Sequence, residues 1–111
     1  MKLPNPDHAI VDLQTLREYC LNPFHQRGRH KSGVFLSALG VTAQDAQFLR
    51  NQLLKAAKTH DCRYRGSTEF GDRYEIWFEL IVNDRRAMVC SAWFVRRHEN
   101  FARLASCYVV P

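Results

Sequence analysis

The chain has 111 residues, 46% of them hydrophobic and 12% aromatic, and a formal net charge of +5. That content supports one packed core and excludes a disordered chain. No stretch reaches membrane-spanning length, and the opening MKLPNPDHAIVD holds no long apolar run, so neither a membrane span nor an export signal is expected and the expected location is the cytoplasm. The basic balance favours a polyanionic partner, nucleic acid before a membrane surface. Cys20, Cys62, Cys90 and Cys107 are widely spaced and form no CxxC pair, which predicts free buried thiols and no metal site.

The elements follow in chain order. LPNPDHAIVD is an extended arm. Asp12 can cap a first helix, LQTLREYCL, which the Asn22-Pro23 pair stops because a residue before proline resists the α conformation. The loop FHQRGR leads into a second helix from about residue 30 to 39, with Val34, Phe35, Ala38 and Leu39 on its apolar side and Gly40 at its C-terminal turn. Thr42 and Asp45 form a capping box for a third helix, in which Ala46, Leu49, Leu53 and Ala57 make a stripe.

After Cys62 the apolar period changes from helical to two. RYRGSTE reads as a short strand, followed by strands over 73–82, 87–95 and 103–110 linked by NDRR and RRHENFA. Helices over 1–61 and strands over 62–111 predict a single α+β domain: about three helices packed on one face of an antiparallel meander of three to four strands. Strict alternation assigns Ile76, Phe78, Leu80, Cys90, Ala92, Phe94, Ala105, Cys107 and Val109 to the core. It assigns Glu75, Trp77, Glu79, Ser91, Trp93, Val95, Leu104, Ser106 and Tyr108 to a half-open face, and a one-residue slip would reverse a strand.

The stretch LNPxHxxGxHKxxxFxxxLG, running from Leu21 to Gly40, is followed by RYxxxFE, AWxVRR and RLxxxYV. Together these resemble a family of small bacterial proteins of unknown function, over nearly the whole chain from Leu3 to Val110. A related pattern occurs at the C-terminal ends of polymorphic and contact-dependent toxins. Such domains resemble the barnase–EndoU–colicin–RelE ribonuclease assemblage, in which helices precede a four-stranded antiparallel sheet and the site lies on its open face. Phe24 and Gln26 stand where that family more often shows Glu and Pro. The resemblance implies a toxin-like protein encoded beside a small antitoxin, and the basic charge implies that this partner is acidic.

Cleavage of RNA by acid/base chemistry needs a base for the 2′-OH, an acid for the 5′-oxygen and cations for the phosphorane-like transition state. RGRHK, residues 27–31, offers imidazole and cations together, with a glycine that lets backbone approach a phosphate. The candidate catalytic residues are therefore Arg29, His30 and Lys31, supported by Tyr108 and Arg96. His25, Arg27, Trp93 and Arg97 are candidates for nucleic-acid binding. No cofactor is expected.

Each candidate also has a plainer reading. Basic residues before a helix form a solvated loop, although His30 and Lys31 in a first helical turn oppose the helix dipole, an arrangement that an anion would relieve. His25 can cap a turn, Arg96 and Arg97 can blunt a hairpin tip, and Trp93 and Tyr108 can pack as cross-strand aromatics. Glu75 and Glu79 are candidate bases or partners of Arg73 and Arg96. Ser91 and Ser106 suggest no triad, and P-loop, HExxH and GxGxxG motifs are absent from the sequence. A basic module that binds RNA or a protein without catalysis, including an immunity-type partner, is the alternative function.

Overall fold

The computed structural model describes residues 1–26 and 28–111. Helices occupy the first half and a four-stranded antiparallel sheet the second, the α+β arrangement that the change of period predicts. A 3₁₀ turn, Pro6–His8, precedes α1, Leu13–Thr15, which continues as a π-helical turn, Leu16–Cys20. Helix α2 is Arg29–Leu39, and a 3₁₀ turn Ala43–Asp45 leads into α3, Ala46–Thr59. The strands are β1 Arg63–Thr68, β2 Gly71–Val82, β3 Arg85–Arg96 and β4 Arg103–Val109, in spatial order β1-β2-β3-β4.

Local signals place the helix ends. Asp12 accepts a hydrogen bond from the Gln14 N–H at 2.8 Å, and the Asp45 carboxylate accepts from the Thr42 N–H at 2.9 Å, so both caps form. Gly40 takes a left-handed φ of 70°, and its N–H and that of Val41 satisfy the carbonyls of Leu36 and Phe35 at the end of α2. The first helix is shorter and more irregular than its sequence suggests. Its five-residue π turn leaves Leu16 and Cys20 both buried.

The core lies between the helices and one sheet face. Phe35 and Leu39 of α2 pack toward β3 and β4, and Leu49, Leu53, Ala56 and Ala57 of α3 pack toward Tyr74, Ile76, Phe78 and Leu80 of β2, all in one core. The N-terminal arm contributes Leu3 and Val11 and bridges β4: Ile10 donates to the Ala102 carbonyl and accepts from the Leu104 N–H. The arm thereby covers backbone that an edge strand would otherwise leave unpaired.

The structure corrects the alternation in β3. Ile76 pairs with Ser91 and Tyr74 with Trp93, so Ser91, Trp93 and Val95 face the core, whereas Cys90, Ala92 and Phe94 share the open face with Glu75 and Trp77. Trp93 is 1% exposed and cannot stack on an external base. The physical reason is mutual satisfaction. The Trp93 indole N–H donates to the Ser91 hydroxyl at 2.9 Å, which donates to the Ile76 carbonyl at 2.9 Å. Two polar groups that argue for exposure one by one are a closed chain once paired. In β4 a bulge at Ala105, between the Leu104–Trp93 and Ser106–Ala92 pairs, lets Leu104 and Cys107 both reach the core and turns Ala105 out.

This register makes opposite forecasts for the two tryptophans. Trp93→Ala should cost about 3–5 kcal/mol in urea unfolding. Trp77→Ala, at a side chain 47% exposed, should cost about 1 kcal/mol or less. Equal losses would contradict the register.

Candidate functional site

The candidate site joins the loop before α2 to the β4 edge and the open face of the sheet. Its loop is built by short-range bonds. Asn22 accepts from the Phe24 N–H at 2.9 Å, closing the turn that Pro23 starts. The His25 imidazole accepts from the Gly28 N–H through Nδ1 at 3.0 Å, which assigns the proton of the neutral ring to Nε2. The His25 ring meets Tyr19 edge-on, 4.9 Å between centroids. Gly28 is set by close approach: a Cβ there would lie 2.0 Å from the Tyr19 carbonyl oxygen. Its φ of −90° suits any residue, so space and not backbone freedom demands glycine.

Lys31 is the centre of this cluster. It is half-buried, and its ammonium donates to the Tyr19 hydroxyl and to the Ser106 hydroxyl, both at 2.9 Å, while lying 4.7 Å from the Tyr19 ring centroid. Among the described residues no carboxylate pairs with it. Neutral acceptors and a π-face therefore hold a cation whose charge is left uncompensated. Directly along the chain from those two hydroxyl residues lie Cys20 and Cys107, both buried. The hydrogen bond from Cys107, with help from the Lys31 charge, pulls the Cys20 thiol down to about 7 against the opposing effect of burial. Donating its proton to Cys20, together with burial, holds the Cys107 thiol well above its usual value.

On the open face, register creates a cross-strand row: Arg63, Glu75, Ala92 and Ser106 are successive partners, and Lys31 caps its β4 end. The next row is Trp77, Cys90 and Tyr108. The Trp77 indole N–H donates to the Glu75 carboxylate at 2.6 Å and fixes its orientation. Cys90 is buried between its aromatic row neighbours, and burial raises its thiol pKa. Its hydrogen bond with Tyr108 raises the phenol above its ordinary range, so Tyr108 stays protonated near neutrality. A hollow of about 340 Å³ beside Glu75 is lined by Arg65, Arg73, Ala92, Phe94 and Ala105. Arg63, Arg65 and Arg73 make no ion pair among the described residues.

The candidates of the sequence fall into separate groups. Lys31 and His25 converge on Tyr19. Arg29 and His30 are exposed in the first turn of α2, and among the described residues no side-chain hydrogen bond or ion pair engages His30. Tyr108 is on the open face, as alternation predicts. Arg96 is exposed at the end of β3, beside a different hollow with Ile10, Asp12 and Arg103. Arg97 is committed to the turn between β1 and β2, bonding the Ser67 hydroxyl and the Thr68 carbonyl and pairing with Asp72 at 3.6 Å. Trp93 belongs to the core. Arg27 lies outside the described residues. Glu75 and Glu79 pair with neither Arg73 nor Arg96. Tyr19 and the anchoring role of Ser106 escape sequence reasoning, because 12 and 75 residues separate them from Lys31. Among the described residues no helix is long and apolar enough to cross a membrane.

Fold and site thus define an α+β domain whose half-open sheet face is bordered by an uncompensated lysine. A family profile matches residues 2–111, and the chain belongs to that family, the domain of unknown function DUF6883. Neither the comparison with curated proteins nor that with solved structures returned a match.

Two substitutions probe the Lys31 seat. Gly28→Ala forces backbone against backbone and should cost at least the upper end of the overpacking range of about 1–3 kcal/mol. Tyr19→Phe and Ser106→Ala should each cost about 1–2 kcal/mol. The double variant should cost less than their sum, since an ammonium with one acceptor gone can turn to water. Strict additivity in urea unfolding would contradict a shared seat.

Proposed function

We propose that the chain is the toxin-like component of a bacterial toxin–antitoxin pair, a metal-independent ribonuclease that binds RNA across its open sheet face. The observation that carries this reading is the row Arg63–Glu75–Ala92–Ser106 with Lys31 at its end. The row spans three strand spacings, about 14 Å. An extended phosphate backbone laid across the strands meets a cation at each end and Arg65 and Arg73 alongside. Contacts of this kind supply sequence-independent affinity. Tyr108 and the exposed Trp77 offer ring faces to unpaired bases, Trp77 taking the part that alternation gives to Trp93.

In this reading Glu75, oriented by Trp77, takes the proton of the 2′-OH as its oxygen attacks the adjacent phosphorus. Exposed His30, next to Lys31 in α2, protonates the departing 5′-oxygen. Lys31 and the arginines stabilise charge on the phosphorane-like transition state. A small acidic antitoxin would cover the same cationic surface, with charge complementarity speeding association.

Expression of wild type, Glu75→Gln and His30→Ala from a tight promoter, with growth and total RNA followed together, tests this. Wild type should arrest growth and yield discrete RNA fragments. Each variant should lower the cleavage rate by about 10²–10⁴-fold, the usual contribution of a general acid or base. Folded wild type that binds RNA in a salt-dependent way but leaves it intact would replace catalysis with the binding-module function. Intact RNA with no binding would remove both.

A further inference from the structure

Two hollows on the open face share the side chain of Phe94. The first, about 340 Å³, lies beside Glu75, and Arg65, Arg73, Ala92 and Ala105 complete its wall. That volume falls within the range of ligand clefts, about 300–1,000 Å³. The room is made by small residues: Ala92, which faces Glu75 across the β2–β3 pair, and Ala105, which the β4 bulge turns outward. The Phe94 ring is half-buried and reaches toward Gly71, where a Cβ would lie 2.9 Å from its Cζ. The cations of the two hollows differ. In the second, the Arg103 guanidinium is held by both carboxylate oxygens of Glu99, at 3.1 and 2.9 Å. In the first, Arg65 and Arg73 are exposed, and among the described residues no side-chain hydrogen bond or ion pair engages either.

We infer that the first hollow is a nucleobase subsite for a base with a keto oxygen, guanine or uracil, packed on Phe94 and read by Arg65 and Arg73. In the proposed ribonuclease reading, on which this rests, the base belongs to the nucleotide whose 2′-OH Glu75 deprotonates, because the hollow adjoins that carboxylate. Fragments would then carry the keto base at their 3′ end.

A base suits the hollow better than a phosphate. Glu75 shares the wall with the two arginines and repels an anion, while Phe94, Ala92 and Ala105 are apolar. A neutral aromatic ring with a polar edge satisfies both kinds of wall. The arginines also select among the bases, since a guanidinium has donors and no acceptor. Guanine presents O6 and N7 and uracil presents O4, all acceptors. Adenine and cytosine present the amino donors N6–H₂ and N4–H₂ at the corresponding place, where a guanidinium gains no hydrogen bond.

Fluorescently labelled 2′-O-methyl pentanucleotides CCXCC, with X each of the four bases, have no free 2′-OH and separate binding from cleavage. By anisotropy, X = G or U should bind about five-fold or more tighter than X = A or C, the lower end of what a good base contact supplies. Tighter binding of G than of U would assign the O6–N7 edge, and equal binding of the two the keto oxygen alone. Arg65→Lys and Arg73→Lys keep the charge but lose the planar fork and should remove the preference. Ala105→Phe, at an exposed position and verified by an unchanged urea midpoint, fills the hollow and should bring X = G and X = U down to the level of X = A. Equal binding of all four bases by wild type, weakened by salt, would overturn the subsite and leave the RNA-binding face standing. A preference that survives all three variants would overturn its place beside Phe94. Wild type that binds none of the pentanucleotides would overturn the subsite and the RNA-binding face together.

Discussion

The hydrogen-bonded chain from Trp93 to Ser91 to the Ile76 carbonyl sets the register of β3 against β2, and the composition of the open face depends on that register. Side chains alternate strictly along a strand, so a slip of one residue would return Cys90 and Phe94 to the core and expel Trp93 and Ser91. The buried arrangement places the largest side chain of the core at the sheet centre with its N–H satisfied. In exchange, the outer face of β3 is lined by Cys90 and Ala92, small side chains that leave room above Glu75. The hollow beside Glu75 thus follows from how the opposite face of the same strand is packed.

A second constraint acts at the edge of that sheet. Lys31 is carried by the first turn of α2, where the helix dipole disfavours a cation, and no carboxylate pairs with it among the described residues. Two hydroxyls and an aromatic ring make the position tolerable without neutralising it. The exposed ion pairs elsewhere, Lys2 with Asp61 and Arg97 with Asp72, have the opposite character: their charges cancel and each contributes little to stability. Among the described residues Arg63, Arg65 and Arg73 on the sheet and Lys31 at its edge make no ion pair, an arrangement suited to an anionic partner.

The same seat ties distant parts of the chain into one unit. Gly28 lies against the Tyr19 carbonyl, Tyr19 touches His25 and Lys31, and Lys31 reaches Ser106. A change at any of these groups is felt by Lys31, because a half-buried ammonium has few alternative donors' targets short of water.

Local patterns determined much of this protein. The change of period after Cys62, the caps at Asp12 and Thr42, the Gly40 turn and the four strands are all legible, since each depends on residues within one turn or one hairpin of each other. The loop from Asn22 to Lys31 is legible as a cluster of imidazole and positive charge. Tertiary structure alone decided which face each strand presents and which residues meet Lys31. The faces of β3 and β4 turned on a bulge at Ala105 and on a serine satisfied by a tryptophan, and neither feature has a local signature in alternation. Tyr19 and Ser106 converge on Lys31 only because β4 packs beside the π turn after α1, a contact between opposite ends of the chain that spacing cannot encode.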